Sequence, residues 1–313
     1  MSHKFLEPIK IGNQTVKNRV MFLAMAKNIS NFDDSVSAKD IAYVESVAAG
    51  GVGLLVPGAM IVDPEWPSVL PLQPGIYDDR FIPGLRRLVL AAHKYDAKIL
   101  FQLWHPGATN YSGIDPKTVD ELTKDEIHAI QDKFVAAAKR AMAAGADGIV
   151  TGVLTPAGAL DTDALRPIYA AARQAAEKAH RTVDCTLHRA FDVCCDPFAA
   201  LEAAKQLGLT TILTSGQAAS APQGAALLRQ LVEAAGQEVE ILVGAGVSAA
   251  NIPALAAQTG ARAFHLSGKQ VLDSRMTFRR EGVPMGLPGF SEFEIWQTSE
   301  ANIRAARTVL DAL

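Results

Sequence analysis

The chain has 313 residues, of which 49% are hydrophobic and 20% are charged, and its net charge at pH 7 is −3. This composition is typical of a soluble globular protein with a large core, and it gives no global electrostatic reason to bind nucleic acid or a membrane surface. Because no apolar run reaches membrane-spanning length and the first residues lack the apolar centre of a signal peptide, we expect a cytoplasmic protein without nucleic-acid or membrane partners.

The three cysteines, Cys185, Cys194 and Cys195, do not form a recognisable motif. An odd and sparse number argues against a disulfide framework. The adjacent pair lacks the Cys-x-x-Cys spacing of redox and zinc motifs. We therefore predict reduced thiols and no metal site, although a soft metal could bind there if a third ligand came from elsewhere.

The first half of the chain predicts a hairpin followed by three units of strand and helix. The hairpin joins residues 5–11 to 15–17 across a Gly-Asn turn. Strands are predicted at 20–24, 52–56 and 98–103, and helices at 37–49, 81–95 and 123–144. Thr123 and Glu126 have the spacing of a capping box at the start of the last helix. The proline-rich segment 57–74 is predicted to be irregular.

The second half continues this alternation. Strands are predicted at 147–153, 182–187, 211–214, 240–243 and 263–266, and helices at 162–179, 197–207, 223–235 and 249–258, ahead of an irregular tail and a closing helix at 300–313. Short apolar strands that alternate with helices predict a parallel sheet buried on both faces. Eight of them predict an α/β fold, a single (β/α)8 TIM barrel with an N-terminal β-hairpin and a C-terminal closing helix. The rival, an open doubly wound sheet, needs a glycine-rich fingerprint after the first strand, which this sequence lacks.

In such a barrel the residues that end the strands carry the function. The first three predicted strands end near Ala24 and Met25, Gly58 and Ala59, and Gln102. The small residues leave room for a flat molecule, and the amide of Gln102 offers it both a donor and an acceptor. On spacing alone, core or loop filler is the better interpretation of the small residues and Met25.

Strands five to eight end in polar and glycine clusters. Arg189 is a fixed cation suited to a carboxylate or phosphate. Candidates to hold a phosphate through backbone N–H groups are Gly244, Gly246, Ser267, Gly268 and Lys269. The alternative is that these glycines only make tight turns. His188 and His265 could form a metal pair but more often serve as hydrogen-bonded site residues, and Asp192 could orient Arg189 or His188.

Two family resemblances divide the chain. Segments 6–12, 17–20, 49–54, 75–79, 101–107 and 122–127 together resemble the amino-terminal half of the Old Yellow Enzyme family, in its 2,4-dienoyl-CoA reductase and NADH:flavin oxidoreductase branch. The resemblance implies that FMN lies at the mouths of strands one to three, with its ring against Ala24, Met25, Gly58, Ala59 and Gln102. Ala24 stands where the family usually has proline.

The first resemblance ends within strand four. Old Yellow Enzymes have a His-x-x-His or His-x-x-Asn pair there, which holds the carbonyl oxygen of the substrate as hydride arrives. This chain has Val150, Thr151, Gly152 and Val153 instead. The resemblance therefore implies that reduction of an activated alkene would be slow at best.

Segments 153–156, 188–192, 213–217, 244–247, 264–269 and 276–283 resemble the CutC copper-homeostasis family. The amino-terminal strands of that family, with their acidic, cysteine and histidine features, are missing, so we do not expect copper. We interpret the chain as one barrel built from an Old Yellow Enzyme-like half (1–148) and a CutC-like half (149–313), recombined by engineering within strand four.

Three functions follow from this interpretation. The first is a chimeric scaffold without efficient parental catalysis that retains FMN or phosphate binding, with the phosphate near Gly246, Ser267, Gly268 and Lys269. The second is a weak FMN-dependent NAD(P)H oxidoreductase. The third is CutC-like copper handling through His188, His265 or the adjacent cysteines. The sequence leaves the oligomeric state open.

Overall fold

An antiparallel hairpin of β1 (Ile9–Ile11) and β2 (Gln14–Val16) precedes the main sheet, as predicted. The computed structural model describes residues 6–11, 14–66, 71–107, 117–118, 121–280, 282–283, 291 and 293–313, so the predicted turn at 12–13 lies outside the described residues. The side-chain amide of Gln14 donates to the carbonyl oxygens of Asp147 at 2.5 Å and Thr182 at 3.4 Å. These bonds fix the hairpin against residues 147 and 182 of the main fold.

The main sheet consists of parallel strands in chain order. They are β3 (Met21–Phe22), β4 (Leu54–Leu55), β5 (Ala59–Ile61), β6 (Lys98–Trp104), β7 (Gly148–Thr151), β8 (Asp184–Leu187), β9 (Thr211–Thr214), β10 (Glu240–Val243) and β11 (Ala263–Phe264). Both β4 and β5 pair with β6, so they act as one interrupted second strand. Met21 on one edge strand and Phe264 on the other line the same cavity, because the sheet is strongly curled. The fold is therefore α/β with a curled parallel sheet.

Helices follow the strands and cover the outer face of the sheet. They are α1 (Ala38–Ala49), α2 (Ile82–His93), α3 (Lys124–Ala144), α4 (Thr162–Lys178), α5 (Pro197–Gln206), α6 (Ala225–Ala235), α7 (Ile252–Thr259) and α8 (Glu300–Asp311). The predicted capping box of Thr123 and Glu126 is confirmed, and Gly145 ends α3 with a φ of 104°. Among the helices of the described residues, none is both long enough and apolar enough to cross a bilayer.

Apolar side chains fill both faces of the sheet. The larger cluster lies between sheet and helices and includes Phe101, Ile149 and Leu187. A smaller cluster inside the curl joins the hairpin residue Val16 to Leu54, Val56, Leu100 and Val150. Burial on both faces explains why the strands are continuous apolar runs.

Two segments that we predicted to be irregular contain strands. Within 57–74, β5 forms because Ala59, Met60 and Ile61 pair with residues 102–104. In the tail, β12 (Lys269–Asp273) pairs with β13 (Glu294–Thr298) in an antiparallel hairpin. Val271 lies opposite Trp296, a β-branched and aromatic pair that stabilises such ladders. Both predictions were wrong because these pairings depend on partners distant in sequence.

Candidate functional site

The residues predicted at the mouths of the first strands come together at the carboxyl edge of the sheet. A Cβ placed on Gly58 would lie 3.1 Å from the carbonyl oxygen of Met25, and Ala59 is the register partner of Gln102. Ala24 packs against the inner apolar cluster. Gly58 has a φ of 151°, which only glycine adopts without strain. Met25, Gly58 and Ala59 therefore lie together beside the amide side chain of Gln102.

Gln102 is half-buried between Ala59 on β5 and Val150 on β7. Within the described part of the chain, its side-chain amide has no hydrogen-bond partner. A half-buried amide with donor and acceptor unfilled is able to bind a ligand that offers both. This observation fits the edge of an isoalloxazine ring.

Lys27 lies beside Met25 and Gly58, and sequence reasoning missed it. It lines a small cavity of about 20 Å³ together with Met25 and Gly58. Its ammonium donates to the carbonyl oxygen of Pro57 and lies 4.4 Å from the centroid of the Tyr43 ring. Burial lowers the pKa of Lys27 to about 8, against the opposing charge of Asp40. Its place after the end of the first strand was the only sequence signal.

A second missed cluster follows β5 and β6. Asp63 is fully buried, and its Oδ2 accepts from Lys133 Nζ at 2.7 Å. The Nδ1 atom of His105 accepts from the backbone N–H of Gly107 at 3.0 Å, so Nε2 carries the proton and faces Asp63 Oδ2 at 3.5 Å. Burial lowers the pKa of His105, against the opposing charge of Asp63. Nδ1 is therefore hydrogen-bonded within the protein, whereas Nε2 is buried without a hydrogen-bond partner.

β7 is the predicted strand four, and it carries no histidine. A Cβ on Gly152 would lie 2.6 Å from Leu187 Cδ1 and 3.0 Å from His188 Cε1, so the ring of His188 occupies this place. His188 Nδ1 accepts from the backbone N–H of Ala190 at 3.1 Å, which leaves the proton on Nε2. Burial lowers the pKa of His188, which favours the neutral ring.

The end of β8 forms a hydrogen-bonded network around Asp192. Its Oδ1 accepts from Thr214 Oγ1 at 2.6 Å and from the backbone N–H of Ser215 at 2.8 Å. Its Oδ2 accepts from Arg189 Nε at 2.6 Å. The guanidinium also donates from Nη2 to Ser215 Oγ at 3.3 Å. The network holds Arg189 in place. The side chain of Arg189 remains half-exposed, so an anion can reach its guanidinium group.

His265 follows β11 at the same edge of the sheet. Its Nδ1 is buried without a hydrogen-bond partner. A Cβ on Gly244 would lie 3.2 Å from that atom, so only glycine leaves the ring this place. Burial lowers the pKa of His265, and the positive charge of Arg189 lowers it further. An anion at this point would accept from a ring N–H and reduce the repulsion between the two side chains.

The residues predicted to hold a phosphate are more dispersed. Gly246 has a φ of 70°, and its carbonyl accepts from Asn251 Nδ2. Gly268 is covered by α8, since a Cβ there would lie 2.3 Å from Ile303 Cδ1. Lys269 belongs to β12, with its ammonium 3.9 Å from the Trp296 ring. The role of Ser267, Gly268 and Lys269 in phosphate binding stays a prediction.

The profile of the CutC family matches residues 108–270. The chain belongs to the CutC family. The CutC family proteins of Vibrio vulnificus (strain YJ016) and Chromobacterium violaceum are each 43% identical to it, over 195 and 167 residues. The matches cover 62% and 53% of this chain, and 74% and 64% of those two relatives.

The amino-terminal part of this CutC-family chain matches a second family. Residues 4–153 match the NADH:flavin oxidoreductase / NADH oxidase family, so the two matches overlap over residues 108–153. The predicted combination of an Old Yellow Enzyme-like part and a CutC-like part is therefore confirmed.

Solved structures agree on the fold. The old yellow enzyme homologue from Zymomonas mobilis has a TM-score of 0.64 at 18% identity, covering 84% of this chain and 88% of its own. A 2-naphthoyl-CoA reductase has a TM-score of 0.68 at 18% identity, covering 86% of this chain and 51% of its own. Likeness at this identity establishes the fold alone. In the described ranges, no group of three or more His, Cys, Asp or Glu side chains could hold a metal ion.

Proposed function

We propose that the chain is a recombined half-barrel scaffold that binds FMN at the carboxyl edge of its sheet and has little of either parental catalysis. The observation that carries this proposal is that one edge presents unfilled polar groups from both parts of the chain. Gln102 has a free amide within the described residues, and His265 has a buried, unpartnered Nδ1 near the Arg189 guanidinium. A flavin phosphate needs a cation and N–H donors, and its ring needs a flat surface with an amide.

The flavin oxidoreductase match over residues 4–153 supports the ring site. The cavity lined by Met25 and Gly58, about 20 Å³, is too small for the ring. The ring would therefore lie across the mouth of the sheet. Arg189, held by Asp192, would orient the phosphate, with the glycine turns at 244–246 and 267–269 as further donors.

A direct test compares FMN with riboflavin, which lacks the phosphate. We expect both to bind, with quenching of their fluorescence. Arg189→Met is expected to weaken the binding of FMN at least about tenfold and to leave the binding of riboflavin unchanged. The reason is that the substitution removes only a charge-assisted contact with the phosphate. Gln102→Leu is expected to weaken the binding of both flavins equally. Arg166→Met, at an exposed position of α4, is the matched control. A chain that quenches neither flavin contradicts the proposal.

His188 favours a second candidate, a weak FMN-dependent NAD(P)H oxidoreductase. FMN, when bound, supplies hydride transfer from a nicotinamide donor. The Nε2–H of His188, which lies over Gly152 at the end of strand four, is the one imidazole donor that we find there among the described residues. Oxidation of NADH by oxygen is expected to be slow in the flavin-loaded protein. His188→Gln, which keeps an N–H donor, should retain it, and His188→Ala should reduce it.

The CutC match over 108–270 leaves copper handling as a third candidate. The test is to measure the copper that the protein retains after dialysis. This candidate requires a stoichiometric amount of copper, and it requires the loss of that copper in the double variant Cys194→Ser, Cys195→Ser.

We also propose that the curled sheet closes into a (β/α)8 barrel. All eight strand positions are present in order, and both edge strands line one cavity. If β3 and β11 pair, the amides of Met21 and Phe264 should be protected from hydrogen exchange to the same extent as those of β9 and β10. Rapid exchange at both edge strands contradicts closure.

A further inference from the structure

A second cavity lies at the other end of the strands, away from the proposed flavin edge. Its volume is about 70 Å³. The hairpin covers it through Ile9 and Ile11, and Leu54 and Leu100 form apolar walls. Its polar wall comes from Arg19 and from Asp184, Glu240 and Arg262. The cavity therefore lies where the flavin-oxidoreductase part meets the CutC part.

Two buried polar atoms in this wall have no hydrogen-bond partner. They are Asp184 Oδ1 and Arg19 Nε. Asp184 is 2% exposed, so bulk water does not compensate it. An unpartnered buried polar atom costs about 1–3 kcal/mol, and native structures contain few of them. A group that bonds to both atoms would remove both costs.

The charges around the cavity determine the sign of the charge that the bound group carries. Glu240 Oε2 lies 3.4 Å from Arg262 Nη2, so these two charges compensate each other. Arg19 and Asp184 remain. Burial raises the pKa of Asp184 to about 7, and the nearby charge of Asp147 acts in the same direction while that of Lys98 opposes it. At mildly acidic pH, Asp184 is neutral, and the two cations Arg19 and Arg262 face the single carboxylate of Glu240, so the wall carries a net positive charge.

We propose that this cavity binds a short-chain aliphatic monocarboxylate, whose carboxylate accepts hydrogen bonds from Arg19 and Asp184 while its alkyl tail lies against Ile11, Leu54 and Leu100. A water-sized group needs about 10–15 Å³ of cavity volume, so this cavity holds about five groups of that size. Butanoate has the matching size. The site does not depend on flavin binding, because it lies at the opposite ends of the strands.

The experiment titrates the purified full-length chain with butanoate by calorimetry and saturation-transfer NMR at pH 6 and pH 8. We expect saturable binding at pH 6 and about tenfold weaker binding at pH 8, because the carboxyl of Asp184 loses the proton that it donates. Asp184→Asn keeps a donor at that position without a titratable proton. It should therefore bind butanoate with equal affinity at both pH values.

Arg19→Met removes the cation and should weaken binding at least about tenfold. Arg304→Met, on the exposed face of α8, is the control that should leave it unchanged. Three outcomes overturn the proposal: no saturable binding to the unmodified chain at pH 6, unchanged binding to a folded Arg19→Met variant, or butanamide that binds as well as butanoate at both pH values. The first of these does not depend on any variant folding.

Discussion

Asp184 and Asp192 stand at opposite ends of the β8 unit, and both side chains are shielded from solvent, but their surroundings differ. Asp192 accepts hydrogen bonds from Thr214, Ser215 and Arg189. Asp184 has an oxygen without a partner, and burial raises its pKa to about 7. Burial alone therefore does not decide what a carboxyl contributes. Where donors surround it, the carboxyl organises the edge; where they are missing, the protein bears a cost that a ligand could remove.

The sharpest test of this difference is Asp184→Asn. The pKa of Asp184 is above its ordinary value, so the folded state binds more protons than the unfolded state between about pH 4 and pH 7. Stability therefore falls as pH rises through that window and is level above it. A shift of this size corresponds to roughly 4 kcal/mol above pH 7. Asparagine mimics the neutral carboxyl and removes this loss.

We expect the variant to be more stable than the unmodified chain at pH 8 and equal to it near pH 4, measured by denaturant unfolding. Only the difference between the two proteins isolates Asp184, because Glu240 also has a raised pKa from burial and His105, His188 and His265 have lowered ones. A difference that does not change with pH would show that Asp184 does not titrate in this range.

The next largest effect is expected where Gly148 on β7 packs against the backbone of Asp184 on β8. A Cβ on Gly148 would lie 2.4 Å from the carbonyl oxygen of Asp184 and 3.0 Å from Leu100 Cγ. Gly148→Ala should cost about 3 kcal/mol, because the ladder between β7 and β8 must shift. Gly50→Ala is the matched control, since Gly50 has a φ of −65° and its nearest neighbour is 3.2 Å away. Equal stability of the two variants would contradict the close packing between β7 and β8 at Gly148.

At the other end of β8, Asp192→Asn makes the same chemical change as Asp184→Asn and is expected to have the opposite effect. The new amide places an N–H against a donor, either Arg189 Nε or the pair of Thr214 and Ser215. The expected loss is about 2 kcal/mol, discounted because the guanidinium is half-exposed. Unfolding at pH 8 measures it. If both asparagine variants stabilise the chain, hydrogen bonding does not distinguish the two sites.

The sequence allowed most of the fold to be predicted, for local reasons. Strands β9 and β10 were predicted with the bounds that the structure has, because each is a short apolar run between turn residues. Capping at Thr123 and the left-handed end at Gly145 are likewise written in adjacent residues. β5 and the β12–β13 hairpin were missed because their stability comes from partners far away in the chain.

The candidate site was only partly predictable. Residue type and position indicated Gln102 and Arg189. The unfilled atoms that give the edges their character, His265 Nδ1, Asp184 Oδ1 and Arg19 Nε, depend on which neighbours fail to reach them. Such absences arise only in three dimensions, where residues from the two matched parts of the chain line a common space.

The smallest expected effect is that of Gln102→Leu on stability, and it separates a ligand residue from a structural one. Since the amide has no partner within the described residues, its loss should change the free energy of unfolding by no more than about 0.5 kcal/mol. The same variant should bind FMN and riboflavin more weakly. A large loss of stability with unchanged flavin binding would instead make Gln102 part of the scaffold.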